Sequence, residues 1–263
     1  MPTIRTVEIA GTILFALLGL TVGSFLNVCI DRLPENKSII SPPSSCDACQ
    51  HKLAAKDLIP IFSYLRLRGR CRYCQAPVPR KLLWVELATG LLFALLYWHY
   101  GLSPELGVMA FYTCLLVVVF VIDLERGLIL NKVIYPGMVV ALLLALYPWP
   151  WLIQQMRPAI ASAALGGAIG FGIFLLMAIV SRGGMGWGDV KLAGLIGLAT
   201  GFPLVFFSIV LAAILGGVVA VAMVIARKRT FQQTLPFGPF LAAAALITLV
   251  WGADILHWYL GRL

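Results

Sequence analysis

Charge is what this sequence has least of. Only 12% of its 263 residues are Asp, Glu, Lys or Arg, eleven acids against twenty bases. A soluble domain carries about twice that charged fraction. With 61% hydrophobic residues, the chain is therefore expected to be an all-α polytopic membrane protein rather than a soluble one. Heptads, low-complexity tracts and obvious repeats are also missing, which excludes coiled-coil, disordered-tail and solenoid readings. No cleavable signal is expected either. Ser24-Phe25-Leu26-Asn27 offers no good small-x-small site, and the apolar run before it is longer than a signal peptide needs. Ile9 to Ile30 is expected to be a retained first span.

Crossing a bilayer takes about 20 apolar residues. Uncharged runs at 9–30, 87–104, 106–122, 133–156, 158–181 and 230–253 qualify. The run 192–226 is too long for one span and contains Thr200-Gly201-Phe202-Pro203, a turn signal expected to split it. Eight helices result, with both termini on one side. If residues 31–82 face the cytoplasm, the positive-inside rule leaves only Arg5, Arg157 and Arg262 outside. The net charge of +9 then reflects topology, and no nucleic-acid partner is expected. Trp98, Trp149, Trp151 and Trp258 fall near the expected outer boundaries, as an aromatic belt would. The expected division is a first helix over 1–30, a cytoplasmic loop over 31–82 and a seven-helix membrane core over 83–263, with membrane lipids as surroundings.

The loop is too short to bury a good core unaided. It carries Cys46-Asp-Ala-Cys49 and Cys71-Arg-Tyr-Cys74, two Cys-x-x-Cys pairs with the spacing of a tetrahedral zinc site. Structural zinc on Cys46, Cys49, Cys71 and Cys74 is expected. Two disulfides, an iron site of the same geometry and free thiols are the alternatives, and a reducing cytoplasm disfavours the first. His51 is either a substitute ligand or a solvated loop residue. Cys29 and Cys114, alone in apolar runs, read as buried small hydrophobes.

The scarce acids can be sorted by depth. Asp123 ends one apolar run and Asp189 begins another, 66 residues later, on the same side. Asp189 follows four glycines at 183, 184, 186 and 188, which let another chain come close. Two aspartates at one depth on different helices meet the requirement of aspartic-type peptide hydrolysis, in which one activates water and the other protonates the leaving group. The bland alternative is that Asp189 pairs with Lys191 and Asp123 with Arg126, one helical turn away. Lys191 either tunes Asp189 or snorkels to the interface. Glu86 fits both a helix N-terminal carboxylate and a functional contact.

These residues resemble a family. Gly186-Trp-Gly-Asp189-Val-Lys-Leu192, Gly23 through Pro34, the loop cysteines with Leu67-Arg-Gly-Arg, Val85-Glu86-Leu87, and Pro236-Phe-Gly-Pro-Phe-Leu241 are similar to motifs of the bacterial prepilin peptidases (type 4 prepilin-like leader peptidases), GxGD-type aspartic membrane proteases. The resemblance covers almost the whole chain. It implies cleavage of the basic leader from type IV prepilins or type II secretion pseudopilins at the cytoplasmic face of the bacterial inner membrane. Asp123 and Asp189 match the catalytic pair. The resemblance also implies N-methylation of the new N-terminus with S-adenosylmethionine, although no residue here shows a methyl-donor site.

Gly186 and Gly188 would leave room for an extended substrate strand. Pro236 and Gly238 would either line a cavity with non-helical backbone or mark a proline at a helix start. The chain departs from the family pattern at Leu58-Ile59-Pro60, at Leu130-Asn131 and at Arg80 to Trp84. The rival readings are a zinc-ribbon membrane scaffold or transporter with ion-coupled acids, and a GxGD protease cutting within helices.

Overall fold

The computed structural model describes residues 2–146, 160–181, 184–226 and 236–261. Trp149, Trp151, Arg157, Arg182, Gly183, Arg227, Lys228, Arg229 and Arg262 lie outside the described residues, as does the side chain of Arg5. The helices are α1 (Pro2–Arg32), α2 (Phe62–Arg66), α3 (Arg80–Tyr100), α4 (Pro104–Arg126), α5 (Asn131–Leu146), α6 (Ile160–Val180), α7 (Trp187–Thr200), α8 (Leu204–Ile225) and α9 (Gly238–Leu260). A single 3₁₀ turn, Ala55–Asp57, precedes α2. The chain is an all-α polytopic membrane protein.

Six of these helices, not the expected eight, are long and apolar enough to cross a membrane. They are α1 from Glu8, α3, α4, α6, α8 and α9. The shortfall among the described residues lies in α5, described over 16 residues up to Leu146, and in α7, with 14. Fourteen residues rise only about 21 Å, less than the roughly 30 Å hydrocarbon core. Val190, Leu192, Ala193, Leu195 and Ile196 of α7 are all buried, as in a helix enclosed by protein rather than lipid. An apolar run looks alike in both settings, which is why the sequence overcounts. Helix limits differ for a related reason: α3 begins at Arg80 rather than 87, because charged residues at a helix end extend the helix past the uncharged run.

The chain divides into two compact units, Met1–Val118 and Val119–Leu263. The cysteine loop belongs to the first, so the expected separate loop domain is not a body of its own. Within that unit α1 lies closely against α3. A Cβ on Gly23 would come 2.9 Å from the Glu86 Cα. Asn27 Nδ2 donates to the Leu82 carbonyl at 3.0 Å, and Lys81 Nζ to Asp31 Oδ1 at 2.8 Å.

In the second unit α7 is central, contacting α5, α6, α8 and α9. Small residues let α6 and α7 approach, since a Cβ on Gly197 would strike the Gly166 carbonyl. α7 ends at Thr200, Gly201 takes a φ of 71°, and α8 starts at Leu204. The long apolar run thus breaks at the Gly-Phe-Pro turn.

Candidate active site and cysteine cluster

Asp123 lies in the last turn of α4. Gly127, with a φ of 62°, ends that helix and donates its amide to the Asp123 carbonyl at 2.8 Å, the usual left-handed stop. The reversal brings Ile129 back toward the aspartate. Asp189 sits in the first turn of α7, behind an extended Gly186, where the helix dipole favours a carboxylate. Asp189 is within electrostatic reach of Asp123. Both aspartates keep one buried oxygen without a hydrogen-bond partner, Asp123 Oδ2 and Asp189 Oδ1. Unpaired buried acceptors are costly and are expected where a proton, water or substrate completes the site.

The bland pairing of Asp189 with Lys191 is not what the fold builds. The Lys191 ammonium donates to Asn131 Oδ1 at 3.0 Å and lies 5.6 Å from the centroid of the Tyr135 ring. Asn131, a departure in the sequence motif, is thus the residue that draws this cation to the start of α5.

The four glycine and proline candidates are placed differently from one another. Gly186 is exposed, and a Cβ there would only touch Asp189 Oδ2 at 3.5 Å. Gly188 is filled from the other side, since a Cβ would lie 2.7 Å from the Ile129 Cβ. Gly238, at the start of α9, is buried with Asp123 Oδ2 2.5 Å and Ile129 Cδ1 3.1 Å from where a Cβ would stand. Pro236 is half-buried just before α9.

Ile129 was missed by sequence reasoning. It touches the glycine ahead of Asp189 and the glycine beside Asp123, spacing the two strands of backbone that hold the carboxylates. The only hint in the sequence is its position between a helix-ending Gly127 and the start of α5.

In the first unit the Sγ atoms of Cys46, Cys49, Cys71 and Cys74 lie within 4.8 Å of one another, and Cys46 Sγ is 3.8 Å from Cys74 Sγ. Tetrahedral zinc with bonds of about 2.3 Å spaces its sulfurs about 3.8 Å apart. All six cysteines are free thiols, so the disulfide alternative is not realised.

The two knuckles are built alike. Cys46 and Cys71 each accept at their carbonyl from Gln50 and Gln75, at 2.7 and 3.1 Å, and those glutamines have φ of 56° and 60°. The bridges Ser45 to Lys52 and Arg70 to Pro77 close them. This duplication is hidden in a sequence without obvious repeats because only Cys-x-x-Cys-Gln is shared.

The amides of Cys74 and Tyr73 hold the Cys71 thiol down at about 7. Cys74 receives the Ala76 amide, yet burial and the neighbouring thiols push it up to about 12. His51 is not in the ligand set; its ring packs on Tyr73 with centroids 3.7 Å apart.

Asp57 ties the second knuckle to the 3₁₀ turn, accepting from Arg72 Nε at 2.6 Å, Tyr73 Oη at 3.2 Å and the Ala54 amide at 3.2 Å. Partial burial pushes its carboxyl up, but those three donors hold it below the ordinary value. Glu86 Oε2 accepts the Ile61 amide at 2.8 Å, so this acid anchors the loop backbone to α3.

The sequence comparisons give two successive family matches. Residues 17–100 match the bacterial peptidase A24 N-terminal domain, and residues 109–221 match the type IV leader peptidase family. A prepilin leader peptidase/N-methyltransferase of Stutzerimonas stutzeri is 32% identical over 267 residues, covering 92% of this chain and 91% of the relative. A protein of the same description from Bacillus subtilis is 32% identical over 251 residues, covering 95% and 97%. The chain belongs to the type IV leader peptidase family. No solved structure matches it. Within the family match 109–221 lie both aspartates, Ile129 and Asn131, while the N-terminal match holds the four clustered cysteines, Asn27 and Glu86. Pro236 and Gly238 fall beyond the residues matched by the two family models.

Proposed function

We propose that this leader peptidase cleaves the leader of type IV prepilins or type II secretion pseudopilins with Asp123 and Asp189, and N-methylates the new N-terminus. The observation that carries the peptidase assignment is the pairing itself. Two carboxyls 66 residues apart come within electrostatic reach, each with a buried, unpartnered oxygen. One carboxylate takes a proton from water, whose oxygen attacks the scissile carbonyl. The other, protonated, gives its proton to the departing amine as the C–N bond breaks.

The substrate strand must be extended to expose its carbonyl, and the open side at Gly186 is where it would run; Pro236 stands two residues before Gly238, which abuts Asp123. Gly188 and Gly238 contribute by letting Ile129 and Asp123 approach. The cysteine cluster fits zinc by spacing and donor set, with a closed shell of four thiolates that folds the loop rather than reacting. Among the described residues the only β-structure is two isolated bridges, so no strand-linked glycine loop for a nucleoside occurs. Methyl transfer from S-adenosylmethionine rests on the family relation, and no residue is assigned to the donor.

The topology that fits the charge distribution puts both termini outside the bacterial inner membrane, with the cysteine loop and the aspartates on the cytoplasmic side. The division at 1–30, 31–82 and 83–263 goes with it. Leader cleavage by Asp123→Asn and Asp189→Asn, each purified with its zinc, tests the dyad. Each is expected to lose at least about 100-fold in rate. A near wild-type rate from either variant rejects it.

A further inference from the structure

The segment between the two cysteine pairs exposes a run of large apolar side chains that the reaction does not use. Leu58, Ile59, Phe62 and Leu65 are all exposed, Phe62 and Leu65 by 56% and 62%. Tyr64 turns the other way, its hydroxyl against Gly69. Four exposed apolar side chains within eight residues mark an interaction surface rather than a solvated loop.

Depth identifies what they meet. The Ile61 amide, in the middle of this run, bonds Glu86 Oε2 at 2.8 Å. Glu86 lies six residues into α3, about 9 Å along its axis, so the run is level with the second turn of a membrane-length helix and not above its end. Trp84, 64% exposed on the same turn, marks the headgroup level as interfacial tryptophans do. Lys56, Arg66, Arg68 and Arg80 around the run are also exposed. An apolar face fringed by cations beside a bilayer boundary has the make-up of an interfacial helix on anionic lipid.

We propose that residues 58–66 are a monotopic membrane foot. Phe62 and Leu65 insert at the headgroup–acyl boundary, the neighbouring cations meet lipid phosphates, and Glu86 fixes the depth. The foot holds the metal loop flat against the membrane surface, where an emerging pilin N-terminus stays within reach.

The test places a benzophenone amino acid at position 62, 65 or 84 of the full-length protein in nanodiscs containing phosphatidylglycerol, with adducts read by mass. Position 84 is the lipid-facing reference, and monodisperse elution with retained zinc is the folding control. Lipid adducts at 62 and 65 are expected within a few-fold of the yield at 84. Adducts at 62 and 65 no higher than in the dark, while 84 labels, overturn the proposal. So does loss of lipid adducts in favour of peptide adducts when a prepilin is added, because the face then belongs to the substrate. As a second measurement, Phe62→Trp is expected to add a fluorescence component quenched by acyl-brominated lipid; an added component that resists quenching overturns the insertion.

Discussion

Gly238 has no room for a β-carbon because the Asp123 carboxylate occupies that space, with Oδ2 2.5 Å and Cγ 2.9 Å from where it would stand. The start of α9 therefore sets the position of the aspartate on α4. Gly238→Ala is expected to displace the carboxylate and cut the leader-cleavage rate about 100-fold, since displacements near 1 Å cost that much. Thermal stability in detergent should change far less, and the pair of measurements separates misplacement from unfolding.

Ile129 spaces Gly188 from Gly238. Ile129→Ala removes that spacer, and its effect is expected mainly in kcat, with a shifted pH–rate profile because the carboxylate separation changes. Ile129→Val keeps the Cβ and Cγ packing on Gly188, losing only the Cδ1 that reaches Gly238, and should retain activity within a few-fold. Steady-state cleavage across pH distinguishes this from a general loss of packing, which would lower the amount of folded enzyme without moving the profile.

The four clustered thiols could hold a metal, which would in turn hold the loop. Cys71→Ser is expected to lower bound zinc from about one per chain to near zero, because thiolate ligation drives the folding of such small sites. Limited proteolysis should then cut between residues 33 and 79 while the membrane helices stay intact. Elemental analysis and mapping of the fragments check both parts.

Asp57 gives the loop a pH dependence whose sign follows from its lowered carboxyl. A depressed carboxylate stabilises fully above the ordinary range near 3.9, and this contribution disappears as pH falls through the still lower folded value. Asp57→Asn should therefore speed exchange of the Ala54 amide about tenfold at pH 6 to 7. The gap from wild type should close below about pH 4, as hydrogen exchange would show.

Gly197→Ala tests the α6–α7 contact, where the new methyl would strike the Gly166 carbonyl. Overpacking of this kind costs about 1–3 kcal/mol, expected as a lower unfolding temperature. The same substitution at Gly217, which has open space around it, is the control and should be neutral.

The candidate site residues were legible in the sequence because such candidates are recognised by residue type and spacing. Two Cys-x-x-Cys pairs announce a four-thiol cluster, and a rare acid at the end of an apolar run announces itself whatever it packs against. The glycines were legible only as glycines. Their roles divide by neighbour, Gly186 open, Gly188 against Ile129 and Gly238 against Asp123, and neighbours come from helices far apart in the chain. Glu86, ambiguous by sequence, resolves as the acceptor of the Ile61 amide for the same reason.

The sequence by itself determined that the chain is an all-helical membrane protein with two Cys-x-x-Cys pairs and two aspartates at the ends of apolar runs, since bilayer burial is written in local composition. Only the tertiary structure decided that α7 is enclosed by protein and too short to span, that Lys191 goes to Asn131 rather than Asp189, and that the site is spaced by Ile129. Hydropathy measures how much a residue avoids water. It does not record whether lipid or another helix replaces that water, and helix partners are chosen by packing between segments that the sequence lists far apart.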